Sequence, residues 1–313
     1  MVNRTVTRQI RKGISFESHL RRISNLAAIF YLAIWFATPA SQAETTAPSA
    51  LVEFANATGA IKRIRDAHRL RIGMQKDYQP FHIENPRPGF TGIDAELAQF
   101  IAHELGVSVD VVFGDPETLM LLVQQGKIDI ALGGISASIE RRKYVSFTQP
   151  YLVSSTAGLV ARRALPRESE SIDYPRIKLK SIADLGPFPT LTLGVRKGTT
   201  TEQMLRTDKI FQKFKLETYA NHPDLVNSLM NGNIDVLIAD RIFLRALLLR
   251  RPALKNQNIP LLDPDAADNL CMLIRQGEPE FLDYLNFLLA EATRTGILAN
   301  IQRRYLETDG WLP

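Results

Sequence analysis

The chain has a single cysteine among 313 residues, Cys271. One thiol forms no intramolecular disulfide, so the fold depends on its apolar core. Cys271 sits in the apolar run of residues 270–274 and reads as part of that core. The five histidines, His19, His68, His82, His103 and His222, show no metal-ligand spacing. With no cysteine pair beside them, no metal and no cofactor is expected. Neither a G-x-S-x-G nor a Walker A motif occurs, so nucleophile-elbow hydrolases and P-loop NTPases find no support. Basic residues are not interleaved with aromatics, and no nucleic-acid partner is expected. The net charge of +5 is local, because residues 1–25 hold six basic residues (Arg4, Arg8, Arg11, Lys12, Arg21, Arg22) and one acid, Glu17. The rest of the chain carries 32 residues of each sign and is neutral.

What is present begins with a leader. After the basic start comes a run of twelve apolar residues, LAAIFYLAIWFA (26–37), then small residues ending in Ser41-Gln42-Ala43. The run is short for a bilayer span, which needs roughly 20 apolar residues. It has the form of a secretory signal peptide over 1–43, cleaved after Ala43. The basic segment before it is long, either because the signal is extended or because translation begins later. A periplasmic location is expected, without a lipid anchor, since no cysteine stands near the expected cleavage point. Residues 44–68 read as a Thr/Ala/Pro-rich tether and a helical lead-in.

From residue 70 onward, short apolar runs suited to covered strands alternate with segments of helical spacing. This pattern predicts an α/β fold with parallel sheets covered on both faces. Strands are expected at 70–74, 107–113, 128–132, 152–161, 191–195, 215–219, 234–239, 259–262 and 270–274. Helices are expected at 93–105, 118–125, 223–231, 242–249, 280–293 and 299–305, with another beginning at Glu202. Residues 162–180 are charged, hold two prolines and read as a surface excursion. One local echo stands out: VQQGKIDI (123–130) matches LMNGNIDV (229–236) in spacing. Such a joint is also generic in α/β proteins; read as a repeat, it predicts the same helix–Gly–strand unit built twice, in two lobes, with Gly134 and Asp240 at equivalent strand ends facing a cleft.

The segment GKIDIALGGISASIERRKYVSFTQPY (126–151) organises the first lobe. Gly134, Ser136 and Arg141 offer N–H groups, a hydroxyl and a guanidinium fork, which together suit a carboxylate. In the second lobe, Lys197-Gly198-Thr199-Thr200 stands between a strand and a helix and suits an anion. Asp240 is acceptor-only and suits an ammonium group. A carboxylate held at one end and an ammonium at the other describe an α-amino acid, and Tyr78, in the loop Tyr78-Gln79-Pro80-Phe81, is placed to cover its apolar side. Each residue also has a structural reading: Asp240 and Thr199 or Thr200 as helix caps, Arg141 as a solvated charge, Tyr78 as packing.

These segments resemble the periplasmic solute-binding proteins of polar amino-acid ABC transporters, family 3, from about residue 70 to residue 305. YQPFHIENPRPGFTGIDAELAQFIAHELG, the 126–151 segment, GVRKGTTTEQML and GNIDVLIADR carry the resemblance. It implies a type II two-lobe fold with two crossover strands as hinge: lobe 1 from 69–154 plus 267–313, lobe 2 from 155–266. It implies a monomer that closes on a small ligand and delivers it to a membrane permease. Tyr78 matches the stacking aromatic, Gly134, Ser136 and Arg141 the carboxylate groups of the first lobe, Thr199 and Thr200 those of the second, and Asp240 the amine acceptor. Pro116 stands where many members have a second aromatic, and Gln75 where binders of basic amino acids carry an acid. Three features (DYQPF, GISASIERR and ANHPDLV) are also similar to cyclohexadienyl dehydratases, which share the fold. Those enzymes carry an acid where this chain has Thr201, with Glu202 one residue further on. The implied alternatives to a binder are such a dehydratase and a sensor or accessory protein.

Overall fold

The computed structural model describes residues 58–76, 78–84, 91–166, 179–262, 267–308 and 310–312. The leader and tether over 1–50 lie outside the described residues, as do most of the turn at 85–92, the middle of the 162–180 excursion and the start of the acidic segment 263–268.

Two five-stranded sheets organise the described chain. The first holds β1 (Arg69–Met74), β2 (Ser108–Phe113), β3 (Ile130–Ala131), β4 (Ser146–Ser154) and β10 (Asp268–Ile274), in the order β2-β1-β3-β10-β4. The second holds β5 (Thr156–Ala161), β6 (Thr192–Arg196), β7 (Lys215–Tyr219), β8 (Val236–Asp240) and β9 (Asn258–Leu262), in the order β7-β6-β8-β5-β9. The orders correspond strand for strand. Each sheet has three parallel strands, then the strand arriving from the other sheet, then the departing strand at the edge. The chain crosses between the sheets at Ser155 and again between Leu262 and Asp268. Both departing strands carry a proline, Pro150 and Pro260, at an edge where a missing N–H is tolerated.

Helices α1 (Gly59–Asp66), α2 (Ile93–Leu105), α3 (Pro116–Gln124), α4 (Ile139–Arg142), α9 (Pro279–Arg294) and α10 (Ile297–Leu306) accompany the first sheet in the chain. With the second come α5 (Thr200–Thr207), α6 (His222–Asn231), α7 (Arg241–Arg250) and α8 (Ala253–Gln257). Side chains alternate across each strand. On β8, Leu237 and Ala239 join the core that includes Leu225 and Leu247, while Val236 and Ile238 join Leu205 and Phe211 on the opposite face. Among the described residues, no helix is long and apolar enough to cross a membrane.

The echo is a repeated piece of architecture. Gly126 and Gly232 both adopt left-handed backbone, at φ 65° and 81°. One residue later, Lys127 N bonds Leu122 O and Asn233 N bonds Ser228 O, each at 2.9 Å. The repeated aspartates then do the same work: Asp129 Oδ2 accepts from Arg71 N and Asp235 Oδ2 from Thr192 N, both at 2.9 Å. Each carboxylate fastens its joint to the neighbouring parallel strand, β1 or β6.

Several expectations need correction. The sheets are mixed rather than parallel, because each strand arriving from the other sheet runs antiparallel to its neighbours. The run 152–161 is two strands rather than one, split at Ser155, and β4 begins earlier, at Ser146. The strand expected over 128–132 is only two residues long as β3, although Asp129 N to Arg71 O (2.8 Å) and Leu132 N to Gly73 O (2.9 Å) continue the pairing on either side. Helix α5 begins at Thr200 rather than Glu202, because Thr199 caps it. The short helix α8 was not anticipated.

Candidate functional site

All of the candidate residues, Tyr78, Gly134, Ser136, Arg141, Thr199, Thr200 and Asp240, line one cavity between the sheets. Its wall forms at the carboxyl ends of β1, β3, β6 and β8, where open α/β sheets bind ligands. The space open to the centres of water-sized molecules is about 40 Å³. One water needs roughly 10–15 Å³ on that measure, so the cavity is tight.

The first-sheet wall rests on a glycine pair. Gly133 and Gly134 have φ of 119° and 58°, and their N–H groups donate to Asp94 Oδ2 at 2.5 and 3.0 Å. A Cβ on Gly134 would stand 2.8 Å from Tyr78 Cε1 and 3.1 Å from the Phe81 ring, so only glycine fits. Asp94 is fully buried, and burial pushes its carboxyl up to about 7 against the opposing hydrogen bonds of Tyr151, Gly133 and Gly134. The Ser136 hydroxyl donates to Asp268 Oδ2 at 2.5 Å. Ser138 caps α4 by accepting from Arg141 N at 3.2 Å, which fixes where the arginine starts. Arg141 Nη1 donates to Ser136 O and Nη2 to Gly198 O, each at 2.9 Å, so its fork spans both sheets.

On the second-sheet side, Thr199 takes up its capping role. Its Oγ1 accepts from Glu202 N at 3.1 Å and donates to Arg196 O at 2.8 Å. The Gly198 N–H, expected as part of an anion receptor, donates to Glu202 Oε2 at 2.8 Å. Glu202 also pairs with Arg206 at 2.8 Å and does not line the cavity, whereas Thr201 does. Asp240 is both cap and cavity wall: Oδ1 accepts from Phe243 N at 2.9 Å, and Oδ2 accepts from the Tyr78 hydroxyl. Burial raises the Asp240 carboxyl above its ordinary range, while the bonds from Tyr78, Phe243 and Ile242 pull it back. Burial and the nearby Asp240 raise the Tyr78 phenol well above its usual value, so it remains a donor.

The Tyr78 ring does not present an open face. It stacks on His222 at 4.4 Å and 12°, and the imidazole packs in turn on Phe243 at 4.2 Å. Burial first, then Arg196, drives the His222 pKa well below its ordinary value, so the ring is neutral. His82, by contrast, faces Phe113 and the Lys76 carbonyl.

Three titratable residues of the cavity wall escaped sequence reasoning, Arg196, His222 and Asp268. Arg196 ends β6 just before the Lys197-Gly198 loop, and that strand-end position was the available signal. Among the described residues, no cluster of three or more His, Cys, Asp or Glu side chains could hold a metal.

A family model, bacterial extracellular solute-binding proteins, family 3, matches residues 70–308. The chain belongs to that family, and its fold is the two-lobe α/β type II fold of periplasmic binding proteins. It is similar to the L-cystine-binding protein TcyJ of Escherichia coli, 25% identical over 252 residues, covering 80% of this chain and 87% of that one. It is equally similar to the cyclohexadienyl dehydratase of Pseudomonas aeruginosa, 26% identical over 249 residues, covering 79% and 86%. Among solved structures, a putative ABC-transporter binding component from Wolinella succinogenes, complexed with lysine, superposes with a TM-score of 0.67 at 28% identity, covering 78% of this chain and 98% of that one. Binding proteins predominate among these relatives, and one relative is an enzyme.

Proposed function

We propose that the protein binds a small amino acid in the cavity between its lobes and delivers it to an ABC-transporter permease, without chemistry. One observation carries this reading: a single tight cavity holds Arg141, whose fork bridges both lobes, and Asp240, a part-buried carboxylate at the matching strand end. The ligand carboxylate would sit against Arg141, Ser136 and the Gly134 backbone. The ammonium would replace the Tyr78 hydroxyl on Asp240. Lobe 1 comprises 69–154 and 267–313, lobe 2 comprises 155–266, and the two crossings between the sheets are the hinge. The ligand favours the closed state to the extent that it binds that state more tightly. Residues 1–43 act as a signal peptide and the mature protein is a soluble periplasmic monomer.

The dehydratase relative is the reason to weigh an enzyme. Two observations support the binder instead. Thr201 stands in the cavity where the resemblance implies an acid, and Glu202 is turned to Gly198 N and Arg206. A thermal-shift screen of the twenty amino acids tests the proposal, because a ligand that binds only the folded state raises the melting temperature. An amino acid should raise it by several degrees at millimolar concentration. No shift with any of them, or conversion of prephenate or arogenate, overturns the reading.

A further inference from the structure

We propose that an open groove between α7 and the edge strand β9 binds a free fatty acid, one alkyl chain ending in a carboxylate. The groove shares no described lining residue with the cavity between the sheets, so the inference does not depend on the amino-acid reading. Its volume is about 730 Å³, within the range of small-molecule sites. The walls are aliphatic. Helix α7 packs over β5 and β8 and brings Leu248 and Leu249 to the groove. Side chains alternate along β9: Leu261 is buried, while Pro260 and Leu262 turn outward and line the groove. Val153 on the edge strand β4 and Leu306 at the end of α10 add a wall from the first sheet's side. Val153 and Leu262 are 50% and 45% exposed, so apolar surface is left to water there.

The charges give the head group its class. Arg241 and Arg245 lie one turn apart on α7, and Lys255 follows on α8. The described lining holds no Asp or Glu, and none of the three cations makes an ion pair among the described residues. Arg241 opens α7, where the helix macrodipole disfavours a cation, and no acid stands in that first turn. Its backbone N–H bonds Ser155 O at 2.8 Å, which fixes the start of the helix. A carboxylate between the two guanidinium forks gains charge-assisted hydrogen bonds. The chain then runs along Leu248, Leu249 and Pro260, and the alkyl stem of Lys255 can cover it. A cationic amphiphile meets like charge at the same place. An acidic peptide is served less well, because a strand added to β9 needs its row of N–H groups and Pro260 interrupts that row.

The test is calorimetric titration of the full chain at neutral pH with decanoate, hexanoate, decanol and decyltrimethylammonium. Decanoate should bind one to one and about 100-fold tighter than hexanoate, because each buried CH₂ multiplies affinity by roughly three to four. It should bind about tenfold tighter than decanol and than decyltrimethylammonium, the scale of two partly exposed ion pairs. Arg241→Gln combined with Arg245→Gln should erase the preference over decanol while leaving decanol affinity unchanged. Val153→Glu, at an exposed position on the opposite wall, should weaken decanoate about tenfold by like-charge repulsion if the arginine variant folds poorly. Thermal shifts with amino acids should stay the same in both variants, which separates the groove from the cavity. Decanoate that binds no tighter than decanol, that ignores both substitutions, or that binds only as several molecules per chain overturns the proposal. A Glu-rich peptide or phosphatidylglycerol vesicles binding where decanoate does not would give the groove to a protein or to a membrane, and either result overturns it equally.

Discussion

Gly134 and Asp240 stand eight residues beyond their left-handed glycines, Gly126 and Gly232, at the ends of corresponding strands. The approach to them is the same, down to the aspartate that fastens each joint to the neighbouring parallel strand. The two strand ends themselves differ. The first sheet ends in bare backbone, and its N–H groups are held by Asp94 from another helix. The second ends in a carboxylate that caps its own succeeding helix. The common joint sets where the chain arrives, and the last residue sets what the cavity can hold.

The comparison can be broken first at the groups that meet in the cavity. Arg141→Ala leaves a bound carboxylate buried without its partner, so amino-acid affinity should fall about 1000-fold or more by calorimetry. A second test exploits Asp94, which holds the N–H groups of Gly133 and Gly134 beyond β3. Its folded-state pKa of about 7 lies above that of an unfolded carboxyl. The native state therefore holds this proton more tightly, and the stability this group contributes is present below about pH 4 and is lost as the pH rises to 7. Urea titrations across that window should show wild type losing stability relative to Asp94→Asn, on the order of 4 kcal/mol.

The joints come next. Asp129 also forms a two-pronged pair with Arg71, at 3.0 and 2.6 Å, beyond its backbone bond. Asp129→Ala should cost about 3 kcal/mol and Asp235→Ala about 2 kcal/mol by denaturation, the gap measuring the arginine's share. The smallest effects belong to Gly126→Ala and Gly232→Ala, which force a side chain into left-handed backbone. Each should cost about 1 kcal/mol, and equal costs would sharpen the equivalence of the two joints.

Much of this was legible because local signals agreed. The 93–105 helix combined apolar spacing with a terminal glycine and matches α2 residue for residue, with Gly106 left-handed at φ 68°. The two strand ends were found because a repeat put them in register. The cavity's remaining groups were hidden for physical reasons. Asp268 meets Ser136 across 132 residues of chain, through a second crossing that no local pattern announces. His222 opens a helix, and only tertiary packing brings its ring onto Tyr78. The direction in which Arg196 points depends on the pleat of β6, and a one-residue change in register would turn it to the other face. Thr199 and Asp240 show the opposite limit: their capping and cavity roles were posed as alternatives, yet each caps its helix while lining the cavity.

Cys271 lies on β10, 2% exposed, and burial raises its thiol to about 11. At neutral pH almost no thiolate is present, and little of the sulfur can be reached by a maleimide or disulfide reagent. The native chain is therefore a silent background for labelling. A pair of cysteines introduced at exposed positions, one on each lobe, would carry spin or fluorescent labels without removal of the natural thiol. The spread of distances between them would report the opening and closing of the cleft directly.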